Sequence, residues 1–287
     1  MTSREHPYLT ADTYPYHLPD PMTPDEWVMD LAHIHPKWVT YLRQEQDHLD
    51  LIQQQLAQQI PQVKRLLPPA ELVFRSLFWC SPRSIKVVIL GQDPYPGEVM
   101  VGQDGIGNGR RAIPYASGMS FSAPDGLPIP KSLQTIFGNM VSHRHLPALP
   151  KGGDLARWAS QGVLLWNTSL TIGIKRDNKP VPHMKLWDQF SYRLLRHLAT
   201  QQPLVWLVWG GHAHKMCYRV VHDSGIDHYI STSSHPSPLG ANSTVSGKEY
   251  RTGKKTVYPS FHQTDHFGFV NQSLAQMGRS PIDWELE

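Results

Sequence analysis

The chain has 287 residues, 40% hydrophobic and 18% charged, enough to bury the core of one large domain or two small ones and unlike a disordered or fibrous chain. Lysine and arginine outnumber aspartate and glutamate 27 to 24, a net charge of +3 that permits nucleic-acid binding without arguing for it. The longest dense apolar run, Leu204 to Trp209, falls far short of the ~18 residues a membrane span needs, and no apolar stretch follows a basic start, so neither membrane insertion nor a secretory signal is expected.

In chain order, residues 1–25 carry five prolines among polar groups and are expected to be a flexible segment, with residues 26–287 forming the folded domain. From Trp38 to about Ile60, Leu42, Leu49, Ile52 and Leu56 recur near helical spacing in a Gln-rich stretch, which predicts a surface helix over a core. Four short apolar runs predict buried strands: Val87–Leu90, Val163–Trp166, Leu204–Trp209 and Tyr229–Ser231. Between them, Asp154 is the expected N-cap of a helix over Leu155–Gln161 closed by Gly162, and Met184–Thr200 and Ala213–His222 have helical periodicity. No repeat, low-complexity tract or linker divides the chain. Strands separated by helices imply an α/β fold, a single domain with a central four-stranded parallel sheet flanked by helices.

In such a sheet the ligand lies beyond the carboxyl ends of the strands. The first strand runs into Gly91-Gln92-Asp93-Pro94-Tyr95, the second ends at Asn167, the third at Gly210-Gly211, and the fourth runs through Ser233-Ser234 into His235-Pro236-Ser237-Pro238-Leu239. One rim would carry a carboxylate, a carboxamide and an imidazole on loops stiffened by proline. Asp93 alone could be an Asx-turn residue, Asn167 a strand-end cap and Leu239 a stray exposed leucine. Together they make a candidate hydrolytic site: one carboxylate to activate water or stabilise a cation, one imidazole to donate a hydrogen bond, one amide to read a pyrimidine edge. The paired carboxylates usual in sugar hydrolases are not evident.

The segments Gly91-Gln-Asp-Pro-Tyr95, Gly162-Val-Leu-Leu-Trp-Asn167 and His235-Pro-Ser-Pro-Leu239 resemble the signature motifs of family 1 uracil-DNA glycosylases, in that family's order. Gly118-Met-Ser-Phe121-Ser, Pro130-Lys-Ser132-Leu and Pro281-Ile-Asp-Trp284 agree, so the resemblance runs roughly from Trp38 to Glu285. It implies hydrolysis of the bond between uracil and deoxyribose in single- and double-stranded DNA after the base is flipped out, without cofactor or metal. By the same resemblance Asp93 and His235 are the catalytic pair, and Gln92, Tyr95, Phe121 and Asn167 complete the uracil pocket. Phe121 would stack on the base and Tyr95 would exclude a thymine methyl. Leu239 would enter the vacated stack, with Ser132 and Ser237 on phosphates.

The chain departs from the family at Pro96, where His is usual, and at Gly211 and Gly240, where Ser is usual. The two missing hydroxyls direct attention to other DNA contacts. Residues 98–117 form a far longer excursion than usual, rich in glycine and carrying Arg110 and Arg111, readable as a floppy surface loop or as a strip along the DNA backbone. Lys248, Arg251, Lys254 and Lys255 make a basic loop after the Leu239 motif, also expected on DNA. Sixteen histidines invite a metal reading, but pairs such as His143/His145 and His212/His214 lack partner ligands at metal spacing and are expected as surface or helix-end residues. Cys80 and Cys217 show no CxxC pattern and are expected to be plain core residues in a reducing, intracellular setting, cytoplasmic or nuclear according to the host. The chain is expected to be a monomer, with a protein inhibitor or replication partner as candidate binders. A DNA-binding module of the same fold without useful catalysis is the competing reading; the intact Asp93, Asn167 and His235 favour the enzyme.

Overall fold

A computed structural model describes residues 28–31, 34–102, 105–106 and 111–286; the segment 1–25 lies outside them. The four expected strands are all present as β1 (Val87–Gly91), β2 (Val163–Asn167), β3 (Val205–Trp209) and β4 (Tyr229–Ser233). They pair in parallel in the order β4-β3-β1-β2. The chain steps from β1 to one side for β2, then crosses to the other side for β3 and β4. That reversal opens a crevice over the carboxyl ends of the strands.

The strands read as continuous apolar runs because both faces are buried. Val88, Leu90, Leu164, Trp166, Trp206 and Val208 face α1 (Gln46–Gln59) and two later helices, α3 (Met184–Ala199) and α4 (Gly211–His222). Their alternating neighbours Val87, Ile89, Val163, Leu165, Val205 and Leu207 face α2 (Lys131–Ser142) and α5 (His266–Gln276). The stretch from Trp38 breaks at Glu45, with Val39–Gln44 preceding α1, yet Leu42, Leu49, Ile52 and Leu56 are all buried as the periodicity predicts. The short helix expected over Leu155–Gln161 spans Ala156–Ser160. Its N-cap is Leu155 and not the expected Asp154, which lies one residue earlier, where Oδ1 accepts from Ala156 N at 3.0 Å and Oδ2 is held by buried Arg75 at 2.8 Å.

Two expected loops are strands. The excursion after Gly97 forms an antiparallel sheet of Glu98–Gly102, Gly105–Ile106 and Arg111–Pro114, anchored by ion pairs from Arg65 and Lys64 to Glu98. The basic run is a hairpin, Val245–Lys248 against Lys255–Tyr258. A third small sheet, Arg65–Leu67, Ile172–Ile174 and Pro180–Pro182, walls the crevice. Among the described residues, no helix is long and apolar enough to cross a membrane.

The register sets Gly91 directly opposite Asn167. A Cβ at 91 would collide with Asn167 Oδ1 and lie 2.7 Å from Ser120 Cβ, so only glycine lets the carboxamide lie against β1. Gly91→Ala should therefore displace Asn167 and lower stability by about 1–3 kcal/mol, read by denaturant unfolding. Gly211→Ala is the control, since its Cβ would meet only Val245 Cγ2 at 3.7 Å; its midpoint should match the parent's.

Burial holds two core histidines neutral, His183 at a pKa of about 4 and His266 at about 3, below the ordinary 6.5. The unfolded chain takes up protons on both from about pH 6.5 downward, whereas the folded chain does not. Their contribution is therefore complete above pH 6.5 and declines as pH falls toward 4, each with a slope approaching about 1.4 kcal/mol per pH unit. Unfolding midpoints measured from pH 7 to pH 4.5 should fall accordingly, and His266→Gln should flatten that slope whatever its effect at pH 7.

Candidate active site

The ends of β1, β2 and β4 bring Asp93, Asn167 and His235 to one cavity of about 440 Å³, which Gln92, Tyr95, Phe121 and Ser132 also line. The loop after β1 is sewn to the segment after β2. Thr168 N donates to Gly91 O at 3.0 Å and Ser169 N to Gln92 O at 2.9 Å, extending the parallel pairing beyond the strands. Pro94 then fixes the chain leaving Asp93.

Asp93 Oδ2 accepts from Gln92 Nε2 at 2.7 Å, while Oδ1 is buried with no partner among the described residues. Burial raises the Asp93 pKa, and the Gln92 amide, the nearby His212 and the Ser169 hydroxyl pull it back down. A buried acceptor without a donor is costly unless a ligand or water completes it.

His235 has the opposite shift: burial lowers its pKa and keeps it neutral. Its Nδ1 accepts from Ser237 N at 3.0 Å, so in the neutral ring the proton sits on Nε2. The turn that presents it needs Gly210, whose φ is 92° and whose Cβ would press on His235 Cβ at 3.1 Å.

Phe121 adopts φ 62°, a left-handed conformation unusual for an aromatic residue. The surroundings impose it. Ser120 N donates to Leu165 O at 3.1 Å, Ser117 Oγ to Ser122 O at 3.0 Å, and Arg75 Nη1 to Ser117 O at 3.2 Å. The Phe121 ring lies 5.2 Å from Trp209 and 5.9 Å from His235, and its carbonyl accepts from Tyr95 OH at 3.2 Å. Arg75, ion-paired to Asp154 and nearly inaccessible, carries no signal in the sequence, because its partners are distant along the chain.

The remaining expected contacts lie around this cavity. Ser132 is the second residue of α2, and the Ser237 carbonyl accepts from Gly240 N and Ala241 N, both at 2.9 Å, in a loop that leaves Leu239 95% exposed. That turn explains Gly240: a Cβ there would sit 2.8 Å from His235 O. Lys248 and Lys255 end the two hairpin strands, and Arg251 and Lys254 sit at the tip. Arg110 lies outside the described residues, and of Arg111 only the backbone pairing with Val101 is described.

Of the histidines expected at the surface or at helix ends, His212 and His214 lie in the first turn of α4, but they are not freely exposed. His214 is buried because the hairpin packs on it, with Nε2 donating to Lys248 O at 2.8 Å. His212 is half-buried, its Nε2 3.0 Å from Thr168 Oγ1. That hydroxyl donates to Gln92 O at 3.2 Å, so His212 is the donor to it and is linked to the loop bearing Asp93. Among the described residues, no group of His, Cys, Asp and Glu is arranged to hold a metal.

Known proteins resemble this chain in sequence and fold. The family described as the Uracil DNA glycosylase superfamily matches residues 78–255. A probable uracil-DNA glycosylase of Acanthamoeba polyphaga mimivirus is 35% identical over 97% of this chain and 73% of its own length. The uracil-DNA glycosylase of Chromobacterium violaceum is 37% identical over 88% of this chain and 92% of its own length. Among solved structures, mimivirus uracil-DNA glycosylase superposes with a TM-score of 0.75 at 36% identity, covering 88% of this chain and 87% of that one. A variant of mimivirus UNG in complex with UGI gives 0.81 at 34% identity, covering 97% and 99%. With a family match over most of its length and these relatives covered across most of theirs, the chain belongs to the uracil-DNA glycosylase superfamily.

Proposed function

We propose that this chain excises uracil from DNA by hydrolysing the bond between C1′ of deoxyribose and N1 of the base, with Asp93 and His235 carrying the chemistry. One observation supports this above the rest: a buried carboxylate oxygen without a donor and a neutral imidazole with its free N–H on Nε2 line the same cavity.

Asp93 Oδ1 holds a water and, as an anion, stabilises the oxocarbenium-like sugar when the C1′–N1 bond breaks. The bonding electrons leave with the base. Charge accumulates on uracil O2, where the His235 Nε2–H donates; a neutral donor suits a uracil anion that needs no full protonation to leave. The water oxygen bonds to C1′ and its proton passes to Asp93, which gives it up by way of solvent to the uracil anion, so that the carboxylate is restored and the products are free uracil and an abasic site. No cofactor or metal is needed.

Asn167 supplies a donor and an acceptor at the base edge, and Phe121, propped on Trp209, offers a face for stacking. Tyr95, its hydroxyl held by the Phe121 carbonyl, fills the space a 5-methyl group needs. Extruding the base costs a few kcal/mol of unstacking; Leu239 as a wedge and phosphate contacts at Ser132 and Ser237 offset it. A protein inhibitor as partner is part of the reading, supported by the mimivirus UNG complex with UGI. A DNA-binding module without catalysis would release no uracil.

Free uracil should be released from uracil-containing DNA in the presence of chelator; dependence on a divalent ion would refute the mechanism. Asp93→Asn and His235→Leu should each lower the single-turnover rate by about 10²–10³-fold or more while leaving DNA affinity close to the parent's. Because Asp93 must be ionised, the rate should fall on the acid side as pH drops through its raised pKa. Gln92→Ala removes a donor that favours the carboxylate, so it should move that acid limb to higher pH.

Tyr95→Ala should release thymine slowly and Asn167→Asp cytosine slowly from undamaged DNA. Product analysis showing neither above the parental background would contradict the pocket assignment.

A further inference from the structure

Beside the uracil cavity a second cleft, of about 820 Å³, lies between α4 and the hairpin 245–258. Gly211, His212 and Lys215 line it from the helix, Lys248 and Lys255 from the hairpin. The hairpin wall is fixed in place. The Gly247 backbone lies so close to His214 that a Cβ would be 2.6 Å from its ring, and the Lys248 carbonyl accepts from both His214 Nε2 and Tyr258 OH at 2.8 Å.

The charge in this cleft is uncompensated. Lys248 and Lys255 stand directly opposite each other across the hairpin, an arrangement that costs stability when nothing lies between like charges. Lys248 Nζ rests 5.4 Å from the centre of the Tyr218 ring, and among the described residues neither it nor Lys215 nor Lys255 joins an ion pair. The one carboxylate in the lining, Asp188, is taken by Arg219 through contacts of 2.9 and 3.0 Å. Glu249 spends its carboxylate on the amides of Arg251 and Thr252 at the hairpin tip, and with Arg251 it lines a separate cavity. The basic run of the sequence is thus divided, and only part of it faces the cleft.

The cleft is tied to the catalytic rim through a hydrogen-bonded link. Gly211 lies one residue beyond Gly210, which follows β3, and His212 lines the cleft while bonding Thr168, which in turn bonds the Gln92 carbonyl. We propose that this cleft carries the sugar–phosphate backbone of the substrate strand beyond the flipped nucleotide, with Lys215, Lys248 and Lys255 neutralising its phosphates. It takes over backbone grip that no hydroxyl at 211 or 240 supplies. The proposal rests on the glycosylase reading for the position of the flipped nucleotide.

The test is a triple variant, Lys215→Gln, Lys248→Gln and Lys255→Gln, compared with the parent and with the triple arginine variant, which keeps the charge. Binding to uracil-free duplex, followed by fluorescence anisotropy across a salt series, should show a slope of log affinity against log salt that is shallower by about 0.9 for each phosphate no longer neutralised, restored by arginine. The ratio of kcat/KM on a long uracil-containing oligonucleotide to that on a trinucleotide with central uracil should fall about tenfold in the glutamine variant. An unchanged salt slope overturns the proposal and leaves the cleft to an acidic protein. An equal drop on both substrates also overturns it, because the lysines would then be supporting the fold or pocket. If the parent releases no uracil from any substrate, the glycosylase reading fails, while the uracil-free binding series still decides whether the cleft holds DNA.

Discussion

The close apposition of Gly91 and Asn167 is the constraint on which the rest of the site depends. Parallel register places the two residues side by side at the end of β1 and β2, and the missing side chain at 91 lets the carboxamide occupy that space. With the gap filled in this way, the amides of Thr168 and Ser169 reach the carbonyls of Gly91 and Gln92. The loop bearing Asp93 then leaves the sheet in one direction only. His235 arrives by the same logic on the far side, where β3 and β4 end level at Trp209 and Ser233.

Burial acts on the two reactive groups in opposite senses, and the surroundings correct only one of them. It disfavours the charged form of both, raising Asp93 and lowering His235. For the imidazole this is the useful direction, and the Ser237 amide completes it by choosing the tautomer. For the carboxylate it is the wrong direction, and Gln92, His212 and Ser169 counter it. Separating the protonation behaviour of neighbouring groups by environment is a general means of running anion and neutral-donor chemistry at one pH.

How much of this is legible in the sequence follows from how far apart the determining partners lie. The four strands and the main helices are readable because their signals are local: runs such as Val87–Leu90 and the spacing of Leu49, Ile52 and Leu56. The site residues are readable because each follows a strand directly or falls in a family motif. Arg75 is invisible because its meaning depends on Asp154, 79 residues away. His214 reads as an ordinary helix residue until the hairpin covers it. Pro180–Pro182 carries no strand signal in the sequence, because proline cannot donate to a ladder; it forms a strand by pairing at the edge of its small sheet. The excursion from Glu98 hides its pairing behind a run of glycines.

That excursion has a consequence for how the chain can change over time. Glu98 pairs with Pro114, and Tyr115 N donates to Gly97 O at 3.0 Å, so the chain returns to the point at which it departs. The spacing between Tyr95 and Phe121 across the pocket is therefore set by this closed base and is independent of what lies beyond it. Lengthening a flexible stretch costs only about 0.6 kcal/mol of closure entropy per doubling. The position is thus a natural port for insertion, where lineages, or an engineer grafting a reporter or a targeting module, can add chain without disturbing the geometry of the pocket.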